Sequence, residues 1–344
     1  MLLERERLTV PKAVERLAGL QAQEPRPPFV GLWTRLDGFE AADLLAAERK
    51  RKVVRATWLR ATLHLVSARD YLAFRSALAP MLAAATRGFG AAVDVDELLP
   101  VARKHLRGRS RTFTELRGLL AEAFPKVNER ALGYLVRLQL PLVMAATDDP
   151  WGYPSPPGFT LASEWLGEDP DSDDALAELV RRYLAAFGPA SAADMQTWSG
   201  LKGIAKVVAD LGDELERLTF GKRTLYDLPK APRPEEDTPA PARFLPAFDN
   251  LVLGHSDRSR VVPDAHKGKV MTKNLRIHPT FLVDGFVAGT WVTELAKGKA
   301  VLRLRPFEPL PKRTAAELTD EGGRLLAFSE PEAGSRDVVI DPIP

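Results

Sequence analysis

The chain has 344 residues, of which 45% are hydrophobic and 27% charged, an ordinary composition for a folded globular protein. Its formal net charge is +2, and it contains no run of roughly 20 apolar residues that could cross a bilayer. The amino terminus is charged where a signal peptide needs an apolar stretch, so we expect a cytoplasmic protein. The lack of cysteine excludes disulfides, thiolate metal sites and cysteine nucleophiles.

The five histidines are scattered and form no HxxxH or HxH pair, so we predict no metal site. The sequence also lacks a GxGxxG turn, a P-loop and a GxSxG elbow, and we predict no other cofactor. Basic residues are concentrated: residues 101–140 carry nine Lys or Arg against three Glu, while residues 163–178 carry seven acids and no base. Such segregation can give a nearly neutral protein a basic face, although ordinary solvated helix faces are the alternative.

The amino-terminal elements are predicted from apolar spacing and from helix breakers. A helix runs from Val10 to about Gln21 and is stopped by the proline-rich segment 24–28. Ser67 has the position of a helix cap. The remaining predictions for this part are helices over 29–36, 41–50 and from 68 towards 86, and a strand over 58–66.

The next two segments share one order of elements. Helices are predicted over 96–106, 113–123 and 128–138 and strands over 140–145 and 159–161, with a capping region from Thr112 to Glu115. After an acidic segment, helices over 175–187, 191–198 and 201–211 precede a hairpin whose turn is Gly221-Lys222. Helices followed by a strand pair are the order of a winged helix-turn-helix, and the amino-terminal segment fits a third copy more loosely.

A proline-rich linker, residues 230–241, leads to a different kind of segment. Strands are predicted over 281–283, 287–292 and 301–304, with a turn at Asp284-Gly285 and a late helix over 314–326. We therefore predict an α+β fold, with three tandem winged helix-turn-helix units followed by a C-terminal β-rich domain. The predicted boundaries are 1–92, 93–168, 169–230 and 242–344.

Winged helices usually bind nucleic acid by placing the third helix in a groove. Arg130 and Arg137 lie on one predicted recognition helix. Lys202 and Lys206 share a face of the other, because they are four residues apart. Solvated side chains on exposed helices are the alternative for each of these residues.

The segment Gln21-Ala22-Gln23 is the sharper feature. Gln21 continues the apolar stripe of the first helix, so its carboxamide must find partners or line a cleft. Pro25 favours an extended Glu24, which predicts that the helix ends near Gln23. The two amides diverge by about 200° in a regular helix but could converge in a fraying last turn. A helix end with satisfied glutamine side chains is the alternative.

Four blocks, in this order, resemble the AlkZ-like winged-helix DNA glycosylases: LAGLQAQEPRPPFVGLWTRLDGF (17–39), RATLHLVSARDY (60–71), LPAFDNLVLGHSDRSRVV (245–262) and FLVDGFVAGTW (281–291). The resemblance implies three winged helices and a β domain that form a concave DNA-binding surface. It also implies a catalytic Gln–apolar–Gln motif, which falls on Gln21 and Gln23. The chain departs from the family pattern at Glu24, where a His is often found, and at Ala61, where Gly usually precedes TLH.

The same blocks suggest further DNA contacts. Arg60 and His64 alternate on the polar side of the predicted strand, which could face DNA or pair with nearby acids. His255 and Arg258 lie in the third block and are assigned to DNA binding as well. Glu24 and Asp257 remain open as carboxylates that could take part in the reaction.

The implied reaction is hydrolysis of the N-glycosidic bond of cationic N7- or N3-alkylated purines, including crosslinked ones, to leave an abasic site. A carboxamide has no useful pKa and cannot act as a general base, but two amides can orient a water below C1′. No lysine lies within residues 13–49, so we expect a monofunctional enzyme without lyase activity.

The implied partner is double-stranded DNA, which would associate the protein with the nucleoid, and we expect a monomer with no membrane contact. The alternative is a non-catalytic winged-helix DNA-binding protein such as a transcriptional regulator. A regulator usually dimerises on paired half-sites, and the sequence shows no coiled-coil heptads.

Overall fold

The structure is a computed structural model that describes residues 1–87, 93–170, 175–272, 274 and 276–343. The α-helices of these residues are α1 (Val10–Arg16), α2 (Pro27–Trp33), α3 (Ala41–Arg49), α4 (Ala68–Phe74), α5 (Ala79–Ala85), α6 (Val95–Leu106), α7 (Phe113–Ala123), α8 (Glu129–Gln139), α9 (Ala162–Leu166), α10 (Ala175–Phe187), α11 (Ala192–Ser199), α12 (Ile204–Leu211), α13 (Asn250–Leu253), α14 (Lys267–Val270) and α15 (Lys312–Ser329). Within the same residues, no helix is both long and apolar enough to span a membrane.

The strands are β1 (Leu20–Gln21), β2 (Val53–Thr57), β3 (Leu63–Ser67), β4 (Arg111–Thr112), β5 (Leu142–Met144), β6 (Gly158–Leu161), β7 (Glu216–Phe220), β8 (Arg223–Asp227), β9 (Arg243–Leu245), β10 (Thr280–Val283), β11 (Phe286–Ala296), β12 (Lys299–Pro306) and β13 (Ser335–Ile340). The mixed helix-and-sheet character confirms the predicted α+β class.

The chain divides into two compact units. The central unit comprises residues 10–25 and 45–231, and the terminal unit comprises residues 1–9, 26–44 and 232–344. Because each unit is assembled from separate stretches of sequence, a linear pass along the chain does not reveal this division. The predicted boundaries of the three winged helices stay a prediction.

The central unit contains a six-stranded antiparallel sheet in the order β1-β3-β2-β5-β6-β4. Its segment from α6 to β6 has the element order predicted for a winged helix-turn-helix. The predicted cap is confirmed, since Thr112 and Glu115 form a reciprocal capping box at the start of α7. Asn128 caps α8 through its side-chain oxygen.

The segment from α10 to β8 repeats this order, and the predicted hairpin is confirmed as β7 and β8 with the two-residue turn at 221–222. One detail of the prediction was wrong. Helix α12 starts at Ile204 instead of Leu201, because Gly203 before it adopts a left-handed conformation with φ of +79°. Lys202 therefore precedes the helix and does not share a helical face with Lys206.

The terminal unit is built on a five-stranded sheet in the order β13-β12-β11-β10-β9, in which only β12 and β13 among the described strands run parallel. The predicted C-terminal strands, their turn at Asp284-Gly285 and the late helix are confirmed, each element being longer than predicted. Gly289 allows β11 to pass the ring of Phe281, since a Cβ there would lie 2.3 Å from that ring.

Two predicted elements in the amino-terminal part were wrong in extent. The helix expected from 68 towards 86 is interrupted, because Pro80 is accepted only in the first turn of a new helix, α5. The strand expected over 58–66 is instead a hairpin in which β2 and β3 are joined by a 3-10 turn at Leu59–Ala61. Arg60 therefore lies in a turn, and only His64 lies in a strand.

Candidate active site

The segment 21–23 is not helical, which corrects the expected helix end: Gln21 lies in strand β1, Ala22 continues its pairing and Gln23 lies in a bend. Helix α1 ends at Arg16, and the next residues include Ala18 and Gly19 with φ of +51° and +88°. A right-handed helix cannot continue through two successive residues with positive φ. The chain therefore turns before it enters β1.

Gln21 lies in a strand and Gln23 in the bend that follows it, so the two glutamines are not related by helical geometry. Strand β1 pairs with β3 so that Gln21 lies opposite His64, and the N–H of Ala22 continues the ladder by donating to the carbonyl of Leu63 at 2.8 Å. Ala22 is fully buried, and the chain bends at Gln23, which lies beyond the end of the strand and is exposed.

Gln21 is only 8% exposed, and its carboxamide is oriented by an arginine. A terminal nitrogen of Arg60 donates to Oε1 of Gln21 at 2.9 Å, and the other donates to the carbonyl of Trp198. Because a guanidinium only donates, it binds the oxygen end of the amide and directs the NH₂ group away. The oxygen keeps a second lone pair that can accept a hydrogen bond from another donor.

The turn that carries Arg60 is a conformationally demanding part of this site. Arg60 and Ala61 both have positive φ, +53° and +58°. Gly200, which ends α11, lies against the turn, and a Cβ there would be 3.3 Å from the Cα of Arg60. A left-handed non-glycine residue costs about 1–2 kcal/mol, so such residues persist where their surroundings hold them, often at functional sites.

Gln23 is exposed, and its backbone is held from inside the protein by an arginine that the sequence analysis did not identify. Arg55, on β2, is 4% exposed and donates to the carbonyls of Ala22 and Gln23 at 2.8 and 2.9 Å. The side-chain oxygen of Gln23 accepts a long hydrogen bond, 3.4 Å, from the N–H of Leu63. The only sequence signal for Arg55 is a cation within the otherwise uncharged VVRAT strand.

Arg55 is supported in turn by two buried residues. Its guanidinium carbon lies 5.1 Å from the ring centre of Tyr153, and Glu48 lies nearby at 2% exposure. Burial raises the pKa of Glu48 to about 8, although a hydrogen bond with Tyr153 and the charge of Arg55 act to lower it. Burial likewise raises the pKa of Tyr153. Glu48 is therefore largely protonated at neutral pH.

His64 was predicted to contact DNA, but the structure places it entirely inside the protein. Burial and, to a smaller extent, the positive charge of Arg60 lower the pKa of His64 to about 3. The ring is neutral and lies 3.2 Å from the carbonyl of Thr62 through Nδ1. His64 thus lies opposite Gln21 on the neighbouring strand and has no solvent-exposed surface. It is a poor proton acceptor at neutral pH.

The remaining predicted DNA contacts fall in separate places. Arg130 and Arg137 line one pocket beside α8. Lys206 is exposed and forms an ion pair with Asp210 at 2.6 Å, and Lys202 lies in the preceding loop. These four residues do not form one cluster with Gln21 and Gln23.

His255 and Arg258 belong to the terminal unit. Nε2 of His255 lies 3.1 Å from a terminal nitrogen of Arg260, and Arg258 contacts the sulfur of Met271 at 3.0 Å. Asp257 caps the short 3-10 helix 258–260. In the part of the chain that the structure describes, no group of three or more His, Cys, Asp or Glu side chains could hold a metal ion.

Comparison with known proteins identifies the family of this chain. Residues 14–328 match the family model described as DNA glycosylase AlkZ-like. A curated relative, the interstrand DNA cross-link repair glycosylase of Streptomyces sahachiroi, is 30% identical over 146 residues. That match spans about two fifths of each protein, 39% of this chain and 39% of the relative.

A solved structure has the same fold over nearly the whole chain. The DNA glycosylase AlkZ of Streptomyces sahachiroi superimposes with a TM-score of 0.81 at 23% identity, covering 99% of this chain and 95% of the other. The family model spans far more than half of the sequence, and the resemblance of the four blocks is confirmed. The chain belongs to the AlkZ-like DNA glycosylase family.

Proposed function

We propose that this protein is a monofunctional DNA glycosylase that releases cationic N7- or N3-alkylated purines from double-stranded DNA and leaves an abasic site. The observation that carries the proposal is the buried carboxamide of Gln21, oriented by Arg60, two residues before the exposed Gln23. Family membership supports the reaction class, and the named activity of the Streptomyces sahachiroi relative supports crosslinked purines as further substrates.

The proposed chemistry needs little acid–base catalysis. Alkylation gives the purine a positive charge, so the C1′–N bond breaks with its electron pair passing to a base that leaves neutral. Gln21 and Gln23 hold a water against the developing positive charge at C1′; the water oxygen bonds to C1′ and its proton passes to solvent. Fixed dipoles and a positioned nucleophile are efficient because they need no reorganisation during the reaction.

An undamaged purine leaves as an anion unless it is protonated, and the proposed site provides no strong acid. We therefore expect neutral bases to be released slowly or not at all. Glu24 is exposed beside the glutamines and is retained as a carboxylate that could assist the water. Its contribution is separable, because a carboxylate titrates and a carboxamide does not.

For DNA binding we propose contacts from Arg60, the two arginines of α8 and the basic residues 202, 206, 255 and 258. His64 is left out because it is fully buried. We also retain the division into three winged helices and a β domain as a proposal, along with a monomeric, cytoplasmic protein. Contacts with phosphates make the affinity for DNA fall as salt rises.

The test is release of base from a duplex that contains one N7-alkylguanine, measured without added metal. Gln21→Ala and Gln23→Ala should each lower the single-turnover rate by about 100-fold while affinity for the same duplex persists. Gln196→Ala, an exposed glutamine on α11, is the matched control and should react like the wild type. A sequence-specific footprint on undamaged DNA with no base release would instead identify a regulator.

A further inference from the structure

The basic segment 101–140 folds into a distinct pocket on the surface of the central unit. The pocket lies between α7 and α8 and has a volume of about 390 Å³. Its lining contains three arginines and two aromatic residues but no acid: Phe113, Arg117, Arg130, Gly133, Tyr134 and Arg137. A cavity with this lining has the chemistry of an anion site.

The three arginines of the pocket have no acidic partner in the described residues. Arg117 donates only to the carbonyl of Phe113 and the hydroxyl of Thr114, and in the described residues none of the three guanidinium groups contacts a carboxylate. By contrast, Arg181 and Arg182 are paired with acids at 2.6 and 2.9 Å. The positive charge of the pocket is therefore left uncompensated by the protein.

Arg137 carries the strongest sign of a missing partner. Its guanidinium carbon lies 4.9 Å from the ring centre of Tyr134, and its Nε is buried with no hydrogen-bond partner in the described residues. Burial lowers the pKa of Arg137. A buried donor of a charged group without a partner is destabilising, and an anion in the pocket that pairs with the guanidinium group would offset this cost.

The shape of the pocket depends on Gly133. A Cβ at this position would lie 2.9 Å from Cγ of Arg117, so only glycine lets the arginine stem lie across α8. Arg130, Gly133 and Arg137 lie on one face of the helix because they are spaced by three and four residues. Tyr134, whose ring the guanidinium of Arg137 covers in part, is 42% exposed beside this face.

We propose that this pocket binds a phosphodiester group of a DNA strand, with the adjoining nucleoside against Tyr134. Arginine donates in a planar fork that matches phosphate oxygens, and an aromatic ring stacks on any base. The inference rests on the proposed function for its partner, DNA, and adds Arg117 and Tyr134 to the contacts. It does not depend on whether the glutamines catalyse base release.

The first experiment measures affinity for an undamaged duplex as a function of salt. Arg117→Met and Arg137→Met should each weaken binding by about tenfold and reduce the slope of log K against log salt by about 1. Arg181→Met, which removes the same charge from an ion pair in the same unit, is the control and should keep the wild-type slope. Slopes that equal the control value in both pocket variants would overturn the proposal.

The second experiment locates the phosphate. A neutral methylphosphonate is placed at successive positions of the duplex, and it should weaken wild-type binding at the contacted phosphate but not further weaken Arg137→Met there. Tyr134→Phe should bind like the wild type and Tyr134→Leu more weakly. If the losses in affinity caused by the methylphosphonate and by Arg137→Met add at every position of the duplex, Arg137 does not contact a phosphate directly. Thermal melting of each variant shows that it is folded.

Two arms separate this inference from its alternatives. Inorganic phosphate and a deoxynucleoside monophosphate are added as competitors; equal affinity for the monophosphate and the strand would assign the pocket to free nucleotides and overturn the DNA contact. Base release by the wild type is measured separately. If the wild type releases no base but the pocket variants have reduced salt slopes, the glycosylase proposal is refuted and the DNA contact at the pocket stands. If the wild type releases base and the pocket variants keep the wild-type slope, only the DNA contact at the pocket is refuted.

Discussion

Replacement of Arg55 by Met tests whether this residue positions the segment 21–23, which we propose to be catalytic. Arg55 makes two charge-assisted hydrogen bonds, to the carbonyls of Ala22 and Gln23, at 2.8 and 2.9 Å. Such bonds contribute about 1.5–3 kcal/mol each, and their loss leaves the buried carbonyl of Ala22 without its donor. The segment must then shift or admit water.

A small shift is enough to affect the reaction, because displacement of a catalytic group by about 1 Å can cost roughly 100-fold in rate. We expect Arg55→Met to lower the single-turnover rate of base release by about 10- to 100-fold, which corresponds to about 1.4–2.8 kcal/mol at the transition state. Affinity for the duplex should change by less than about threefold, since Arg55 is 4% exposed and cannot touch DNA. Arg55→Lys, which keeps the charge and one donor direction, should recover part of the rate.

The matched control is Arg75→Met. Arg75 is 3% exposed and donates to the carbonyl of Leu138 at 2.9 Å, so its loss removes the same kind of bond away from the glutamines. Both variants should melt at lower temperature by similar amounts, but only Arg55→Met should lose rate. A wild-type rate in Arg55→Met, or an equal loss in Arg75→Met, would contradict the positioning role.

Four further outcomes are expected. Because Glu48 has a pKa of about 8 in the folded protein against an ordinary value of 4.5, the folded state binds the extra proton between these values. The contribution of Glu48 to the free energy of unfolding should therefore fall as pH rises from about 4.5 to 8, so the stability of the wild type relative to Glu48→Gln, measured by urea denaturation, should decrease across that range. Gly152→Ala should be strongly destabilising in the same assay, since its Cβ would lie 2.2 Å from Oε2 of Glu48, and Glu48→Ala should restore part of the loss. The rate of base release should be flat between about pH 5 and 8, because carboxamides do not titrate and the pKa of His64 is about 3; a rise across this range would contradict catalysis by the two amides alone. Arg60→Met should lower the single-turnover rate more than Arg60→Lys, because it releases the oxygen of Gln21.

Local patterns in the sequence were sufficient for the elements whose stability is itself local. The helices around Thr112 and Asn128 and the hairpin at Asp284-Gly285 were predicted correctly, because capping boxes, apolar periodicity and turn residues act within a few positions. The pair Gln21 and Gln23 was identified through the family resemblance, on four ordered blocks of sequence.

The geometry of the site could not be obtained in this way. A helix and an extended strand both suit the residues before Gln23; pairing with β3 and the left-handed residues Ala18 and Gly19 select the strand. The same holds for Arg55 and Glu48, whose roles arise from burial and not from spacing. Contacts between segments far apart in the chain decide which residues become neighbours and which carboxyl group is buried away from solvent. Short-range preferences carry no information about those contacts.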